Sequence, residues 1–154
     1  MPESAELETC VVKPFVGTVE GRTVGAYARL PMELTPVTVT FPAVPEYLRL
    51  ARIATADAAS RAGLDYEEID DVRIAVSELC SLVSVDPGST VTLAFRSGDG
   101  SLTVEGEART GRSEITPNEL SAAIVAAVAD EHSLLTDDGI TRFRVVKRAR
   151  NSPD

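Results

Sequence analysis

The order of the predicted elements indicates an α+β fold, a two-layer sandwich in which helices cover one face of a mixed, mostly antiparallel sheet. Two amphipathic helices follow one another between residues 45 and 85, and short alternating strands precede and follow them. Strong turn sequences join the later strands in pairs. The regular alternation of strand and helix that builds a parallel sheet is absent, so neighbouring strands are expected to run in opposite directions.

The domain is predicted to begin with a strand at residues 37–41, where apolar residues alternate with threonines. Such alternation is typical of a strand with one buried face. Pro42 ends the strand, and Pro45 suits the first turn of a helix, because its missing N–H leaves nothing unpaired there. Gly63 is expected just after the last turn. The predicted buried stripe of this first helix consists of Tyr47, Leu50, Ala51, Ala54 and Ala58.

A second helix is predicted from Asp65, a suitable N-cap, to a helix-breaking sequence at residues 85–88. Glu67 and Glu68 in its first turn favour the helix dipole. Its buried stripe has the three-and-four spacing of an amphipathic helix and consists of Ile69, Val72, Val76, Leu79 and Val83.

Glu78 lies off this stripe, with Ile74 one turn before it and Leu82 one turn after it. Residues four apart stand one above the other on a helix, so two apolar side chains bracket one carboxylate. This pattern fits a second buried surface, such as the floor of a pocket. It equally fits an exposed glutamate beside two aliphatic residues that the surface tolerates.

The C-terminal half is predicted to contain a hairpin, a third helix and a second hairpin. The first hairpin pairs residues 91–95 with residues 102–104, and an irregular loop is expected over residues 106–117. Thr116 is the expected cap of the third helix, whose apolar stripe is Leu120, Ile124, Val125 and Val128. The closing strands are residues 132–135 and 140–146. In the last strand Phe143 and Val145 should face inward, while Arg142 and Arg144 face outward and, with Arg148, keep the sheet soluble.

Three segments are expected along the chain. Residues 1–35 form an N-terminal extension, either a partly ordered hairpin or an arm, with candidate strands at residues 11–16 and 23–27. Residues 36–150 form the domain, and residues 151–154 a frayed tail.

Composition excludes several classes of function. The net charge of −9 disfavours direct binding to DNA, whose phosphates must be neutralised by basic residues. Cys10 and Cys80 are far apart and His132 is the single histidine, so neither a structural zinc site nor a histidine-dependent triad is expected. No apolar run approaches the roughly 20 residues of a membrane span, and no secretory segment follows Met1, so a cytoplasmic protein is expected.

Three stretches resemble a known family: residues 41–52, residues 70–80, and residues 123–131 with 139–148. Their sequence and order are similar to those of the anti-sigma factor serine kinases, which have the histidine-kinase-like ATPase (GHKL, or Bergerat) fold. The resemblance covers residues 36–148. It implies the position of a catalytic base at Glu78, in the helix called the N box of the family.

The chain also departs from the family at its nucleotide-binding positions. Leu82 stands where the resemblance implies a Mg²⁺-binding asparagine, and residues 105–111 lack the aspartate that reads adenine. Residues 119–121 replace a Gly-x-Gly that cradles phosphate. The sequence therefore predicts a degenerate member with a vestigial Glu78, no metal site and no cofactor, unless a kinase activity using Mg·ATP has survived.

The resemblance implies a regulator of transcription that binds an RNA polymerase sigma factor stoichiometrically. An anti-anti-sigma factor would then release the sigma factor. Leu48 and Arg52 on the first helix are the implied partner contacts. The alternatives are an active Mg·ATP-dependent serine kinase acting on an anti-anti-sigma factor, and a regulatory domain with a non-sigma partner. A homodimer is also expected, because residues 35–40 carry no charge and suit a covered sheet edge. The cover is either a second subunit or the N-terminal arm.

Overall fold

The computed structural model describes residues 17–19, 22–24, 36–98 and 100–150. The chain divides into two compact units, residues 1–31 and residues 32–154. In the first unit, strands β1 (Gly17–Val19) and β2 (Arg22–Val24) pair antiparallel. A hairpin therefore forms in the N-terminal extension. The predicted strand at residues 11–16 and the predicted tail at residues 151–154 lie outside the described residues.

The second unit contains a five-stranded sheet in the spatial order β3-β4-β5-β7-β6, in which every pairing is antiparallel. Its strands are β3 (Val37–Pro42), β4 (Thr90–Gly98), β5 (Ser101–Arg109), β6 (Glu131–Asp137) and β7 (Ile140–Arg148). The helices of the described residues are α1 (Leu48–Arg61), α2 (Tyr66–Val83) and α3 (Glu119–Val128). The predicted α+β fold class is confirmed.

The core lies between the sheet and the helices, and α2 is its main helical component. The sheet contributes buried residues from alternate positions of its strands: Phe41, Leu93, Phe95, Leu102, Val104, Phe143 and Val145. On α2 the predicted stripe is confirmed, since Val72, Val76, Leu79 and Val83 are buried. Ile69 packs against the same core from a half-buried position. The spacing of apolar residues thus identified this packing face correctly.

The buried stripe predicted for α1 is wrong at two positions. Tyr47 and Leu50 are each 42% exposed, whereas Ala51 and Thr55 are completely buried. Thr55 tolerates this position because its hydroxyl donates a hydrogen bond to the carbonyl of Ala51, 2.7 Å away. A 3₁₀ turn at Pro45–Tyr47 precedes α1. The buried face of α1 therefore consists of small residues, and the larger side chains of Tyr47 and Leu50 lie toward solvent.

The predicted N-cap of α2, Asp65, is confirmed, and the structure adds a reciprocal hydrogen bond to it. The Asp65 carboxylate accepts a hydrogen bond from the Glu68 amide, and the Glu68 carboxylate accepts one from the Asp65 amide, which completes a capping box. Glu68 is only 1% exposed, and its second oxygen accepts from the backbone amide of Arg150 at 2.6 Å. One buried carboxylate therefore joins the start of α2 to the segment after the last strand.

The irregular loop predicted over residues 106–117 is shorter in the structure, because β5 continues to Arg109. Gly106 lies under the ring of Phe143, where an added Cβ would come within 2.2 Å of two ring carbons. Ala108 is buried, while Glu107 and Arg109 face solvent, so the two-residue period continues. Because the inward residues Gly106 and Ala108 are small, the alternation of large apolar residues that marks a strand is absent from this part of the sequence.

The third helix also begins later than predicted. Asn118, and not Thr116, is its N-cap, because the Asn118 side chain accepts a hydrogen bond from the Ser121 amide at 2.8 Å. Leu120, predicted in the buried stripe, is 71% exposed, whereas Val125 is buried. The first turn of α3 thus points Leu120 outward and Ser121 inward.

Candidate functional site

Glu78 is half-buried on α2, and its carboxylate accepts a hydrogen bond from the Ser121 hydroxyl at 2.9 Å. Ser121 is in the first turn of α3 and is 9% exposed. The contact joins residues 43 positions apart in sequence. It places the start of α3 directly against the side chain that the family resemblance identified as a base.

The two aliphatic neighbours of Glu78 have different surroundings. Ile74 is 40% exposed, whereas Leu82 is half-buried and packs against the hydrophobic core. The two aliphatic residues that flank Glu78 along the helix therefore differ, since Ile74 faces solvent and Leu82 faces the core. Leu82 presents carbon atoms only, so it offers no oxygen ligand to a cation.

A shallow cavity of about 310 Å³ lies between α1 and α2 beside Glu78. The structure brings two of the predicted site residues together here, since both Glu78 and Arg52 line it. Arg52 donates through Nε to the Ser77 hydroxyl at 3.0 Å, and Arg73 donates to Asp70 at 3.0 Å. The complete lining consists of Arg52, Asp70, Arg73, Ile74, Ser77 and Glu78.

Leu48, predicted beside Arg52 as a partner contact, does not line this cavity. It is half-buried and packs against the core. The exposed apolar residue next to Arg52 is instead Ile53, at 60% exposure. Sequence spacing alone did not distinguish these two positions, because both lie within one turn of Arg52.

The far end of α3 is also fixed to α2, through Lys147, a buried lysine of β7. Lys147 is 6% exposed, and its ammonium group donates to Asp71 and to the carbonyl of Val128, each at 2.9 Å. Lys147 is two residues after Val145 in β7 and therefore faces the helices. This alternation is the sequence feature that could have identified it.

The outer face of the sheet carries paired charges. Arg96 pairs with Glu105, Arg142 with Glu107 at 2.7 Å, and both Arg144 and Arg148 with Glu131. Hydrogen bonds from Arg148 and Arg144 lower the pKa of Glu131. Arg142 and Arg144 point outward, as predicted, and each has a carboxylate neighbour. A cavity of about 530 Å³ lies on this face.

Cys80 lies on the buried side of α2, and burial raises the pKa of its thiol to about 12. Such a thiol stays protonated at neutral pH and is a poor nucleophile.

No group of three or more metal-ligating side chains occurs within the described residues. None of the described helices has the length and hydropathy of a membrane span.

The domain has two layers and a five-stranded antiparallel sheet. An acidic residue lies on its central helix, and a cavity lies beside that residue. Together these features define a class of fold. Within that class, the sequence matches the family described as histidine kinase-like ATPase domain over residues 41–153. The chain belongs to this family.

Curated relatives point in the same direction. The chain is similar to the serine-protein kinase RsbW of Listeria monocytogenes, with 43% identity over 70 residues, which is 45% of this chain and 40% of the relative. It is 39% identical over 64 residues to the protein of that name from Bacillus pumilus, covering 42% of this chain and 35% of the relative. The chain thus aligns with less than half the length of these relatives.

A solved structure shares the fold. The crystal structure of the RsbU and RsbW domains of a Mycobacterium tuberculosis protein superimposes with a TM-score of 0.56 at 21% identity. The match covers 73% of this chain and 32% of that one. The resemblance predicted from sequence, to serine kinases with the histidine-kinase-like ATPase fold, is confirmed.

Proposed function

We propose that this protein is an anti-sigma-factor-like regulator that binds an RNA polymerase sigma factor stoichiometrically in the cytoplasm. An anti-anti-sigma factor would release the sigma factor, and DNA would not be contacted directly. One observation carries the proposal: at the position of the family's Mg²⁺ ligand, Leu82 packs against the apolar core, one turn from a Glu78 that is engaged by Ser121. In this proposal the fold is retained and its nucleotide chemistry is lost.

The residues present do not fit Mg·ATP. Mg²⁺ requires oxygen ligands in near-octahedral geometry, and Leu82 supplies none. Phosphate groups bind helix N-termini through free amides, but at α3 the Asn118 side chain already accepts from the Ser121 amide. Glu119 in the same turn would repel an anion.

The region expected to read adenine supports the same conclusion. Residues 105–108 of β5 pair with β4 on one side and with β7 on the other, and Arg109 pairs with β7. Their backbone groups are therefore committed to the sheet, and Gly106 is covered by Phe143. A backbone in this state cannot approach a nucleotide closely.

Calorimetric titration with Mg·ATP tests the loss of the nucleotide site. We expect weak or undetectable binding, and a dissociation constant of micromolar order, about −8 kcal/mol, would contradict it. Leu82→Asn alone should not restore affinity, because the phosphate cradle would still be missing. The alternative of an active serine kinase is favoured by the retained Glu78 and by the names of the relatives. Phosphate transfer to an anti-anti-sigma factor would establish that alternative.

Binding of purified sigma factors of the source bacterium, one at a time and without nucleotide, tests the partner. We expect one of them to form a complex of fixed stoichiometry, measured by sedimentation or by light scattering. If none binds, the sigma-factor proposal fails. Co-purification from the host would then identify the partner of a regulatory domain outside sigma control.

A homodimer is part of this proposal. Strand β3 is an edge of the five-stranded sheet, and Thr38 and Thr40 on its outer side are exposed. Uncharged edges are usually covered, and two-fold dimers are the commonest soluble assemblies. The solution mass of the full chain and of a chain beginning at Leu34 tests the idea. Two monomers would refute it, and a dimer formed only by the shorter chain would identify the arm as the cover.

A further inference from the structure

We infer that Glu78 is the latch of a conformational device: it holds the first turn of α3 against α2, and its release lets α3 open while the rest of the domain stays folded. The opening segment consists of residues 112–128, which are the loop before α3 and α3 itself. Glu78 then has a positioning role that requires no nucleotide. The inference concerns a motion within the domain and does not depend on which partner the protein binds.

Helix α3 buries little of its surface. Only Ser121 and Val125 are buried among its ten residues, whereas the eighteen residues of α2 include seven buried ones. An isolated helix of this length is marginally stable in water, so α3 depends on its tertiary contacts. Those contacts include a single buried apolar side chain, and elements with few buried contacts are the first to open locally.

Two polar contacts hold α3 along α2, one at each end. Near its start, the Ser121 hydroxyl donates to Glu78, and at its last residue the Val128 carbonyl accepts from Lys147, which also donates to Asp71. Asp71 and Glu78 are seven positions apart, as are Ser121 and Val128, and seven positions span about 10.5 Å on a helix. The start of α3 lies at the later of the two α2 residues. The two helices are therefore antiparallel, and their polar groups match in spacing.

The loop before α3 is fixed only where it starts. The carbonyl of Gly139 in the β6–β7 turn accepts hydrogen bonds from the Thr110 amide at 2.8 Å and from the Gly111 amide at 3.0 Å. Residues 112–117 are largely exposed, and they make no backbone–backbone hydrogen bond to the described part of the chain. Their backbone can therefore change conformation with the loss of few contacts. Gly111, at a φ of +66°, marks the boundary between the fixed strand and the opening segment.

The two polar contacts differ in their surroundings, and this difference decides which end opens first. The Lys147 ammonium group is buried and has two acceptors, so its loss would leave several polar groups unpaired. Glu78 is half-buried and lines the open cavity beside α2, where water can replace Ser121 as its donor. The first turn of α3 therefore opens before the last turn, and the Ser121–Glu78 hydrogen bond controls that step.

Native-state amide hydrogen exchange measures this opening residue by residue. In the wild-type protein, we expect the amides of α3 to exchange at least about tenfold faster than those of α2 and β5. Glu78→Met keeps the length of the side chain but has no oxygen acceptor. It should therefore speed exchange of residues 121–125 by about tenfold, because a buried hydroxyl loses its charged acceptor. Glu78→Gln is the matched control, since its amide oxygen still accepts from Ser121, and it should change these rates by less than about twofold.

Ser121→Ala tests the same hydrogen bond from the other side. It should raise the exchange of residues 122–125 as much as Glu78→Met does, and the double variant should add little, because both changes break one bond. Exchange in β5 and the thermal unfolding midpoint of each variant separate local opening from a general loss of stability. Both should stay close to the wild-type values.

Three results would overturn the inference. Equal exchange in Glu78→Met and Glu78→Gln, or unchanged exchange in Ser121→Ala, would show that Glu78 is not the latch. Wild-type α3 amides that exchange as slowly as those of α2 would show that α3 opens only with the whole domain. Each of these results leaves the proposed function intact, because none of them concerns nucleotide or partner binding.

Discussion

Helix α2 borders two regions that are organised by different physical requirements. Toward the sheet, Val72, Val76 and their neighbours fill a closed interior in which volume decides what is tolerated. Toward α1 and the start of α3, Arg73 and Glu78 line an open cavity in which charge and hydrogen-bond geometry decide. The contrast teaches that one helix can fill a closed apolar interior on one side and line an open polar cavity on the other. Interior substitutions should therefore lower the free energy of unfolding strongly, and the substitution of Glu78 in the cavity should change it little.

The largest effect is expected for Gly106→Ala in the interior. The new Cβ would overlap the buried Phe143 ring, which must move or strain the strand. We expect the free energy of unfolding to fall by about 3 kcal/mol, measured by urea denaturation. Gly88→Ala is the control, since its Cβ would meet only ordinary contacts, and it should have little effect. A Gly106→Ala protein as stable as the control would show that the interior accommodates added volume.

A smaller loss is expected for Lys147→Met, which removes the ammonium group shared by Asp71 and the Val128 carbonyl. Breaking a buried ion pair leaves its partners unsatisfied, although the nearby Arg150 remains to face Asp71. We expect a loss of about 2 kcal/mol and faster amide exchange in α3.

The control for Lys147 is Arg142→Met, which removes an exposed ion pair on the sheet. It should cost less than about 0.5 kcal/mol. If amide exchange in α3 is unchanged in Lys147→Met, then Lys147 does not hold the C-terminal end of this helix in place.

A pH-dependent effect is expected from Cys80. Burial raises the pKa of its thiol from 9.0 to about 12, so the unfolded chain loses this proton first as pH rises. The stability contributed by the thiol is complete below pH 9.0 and is lost between pH 9.0 and about 12. From roughly pH 8 to pH 10, the wild-type protein should lose about 1 kcal/mol more than Cys80→Ala. If the free energy of unfolding depends on pH in the same way in both proteins, the thiol does not contribute this loss of stability.

The smallest effect is expected for Glu78→Gln in the cavity. The amide oxygen of glutamine can still accept from Ser121, so the free energy of unfolding should change by less than about 0.5 kcal/mol. Sigma-factor binding should also be nearly unchanged. A large loss of binding in a stable Glu78→Gln protein would show that this carboxylate still acts in the site.

The sequence by itself determined the fold class, the packing face of α2, the Asp65 cap and the outward arginines of β7. These features depend on period and on local hydrogen bonds, which neighbouring residues specify. It also placed Glu78, Leu82 and Arg52 at their positions on the helices. For Leu48 and Leu50, spacing could not say which side of α1 would face the core.

Only the tertiary structure decided which distant groups meet. The Ser121–Glu78 contact, the burial of Lys147 and the covering of Gly106 by Phe143 all join elements far apart in sequence. Periodicity specifies which residues share one face of a helix or strand, but it does not specify which other element packs there. A lysine or glycine in an inward position acquires its role only when that element is in place, because a buried polar group needs a partner and close packing leaves no spare volume.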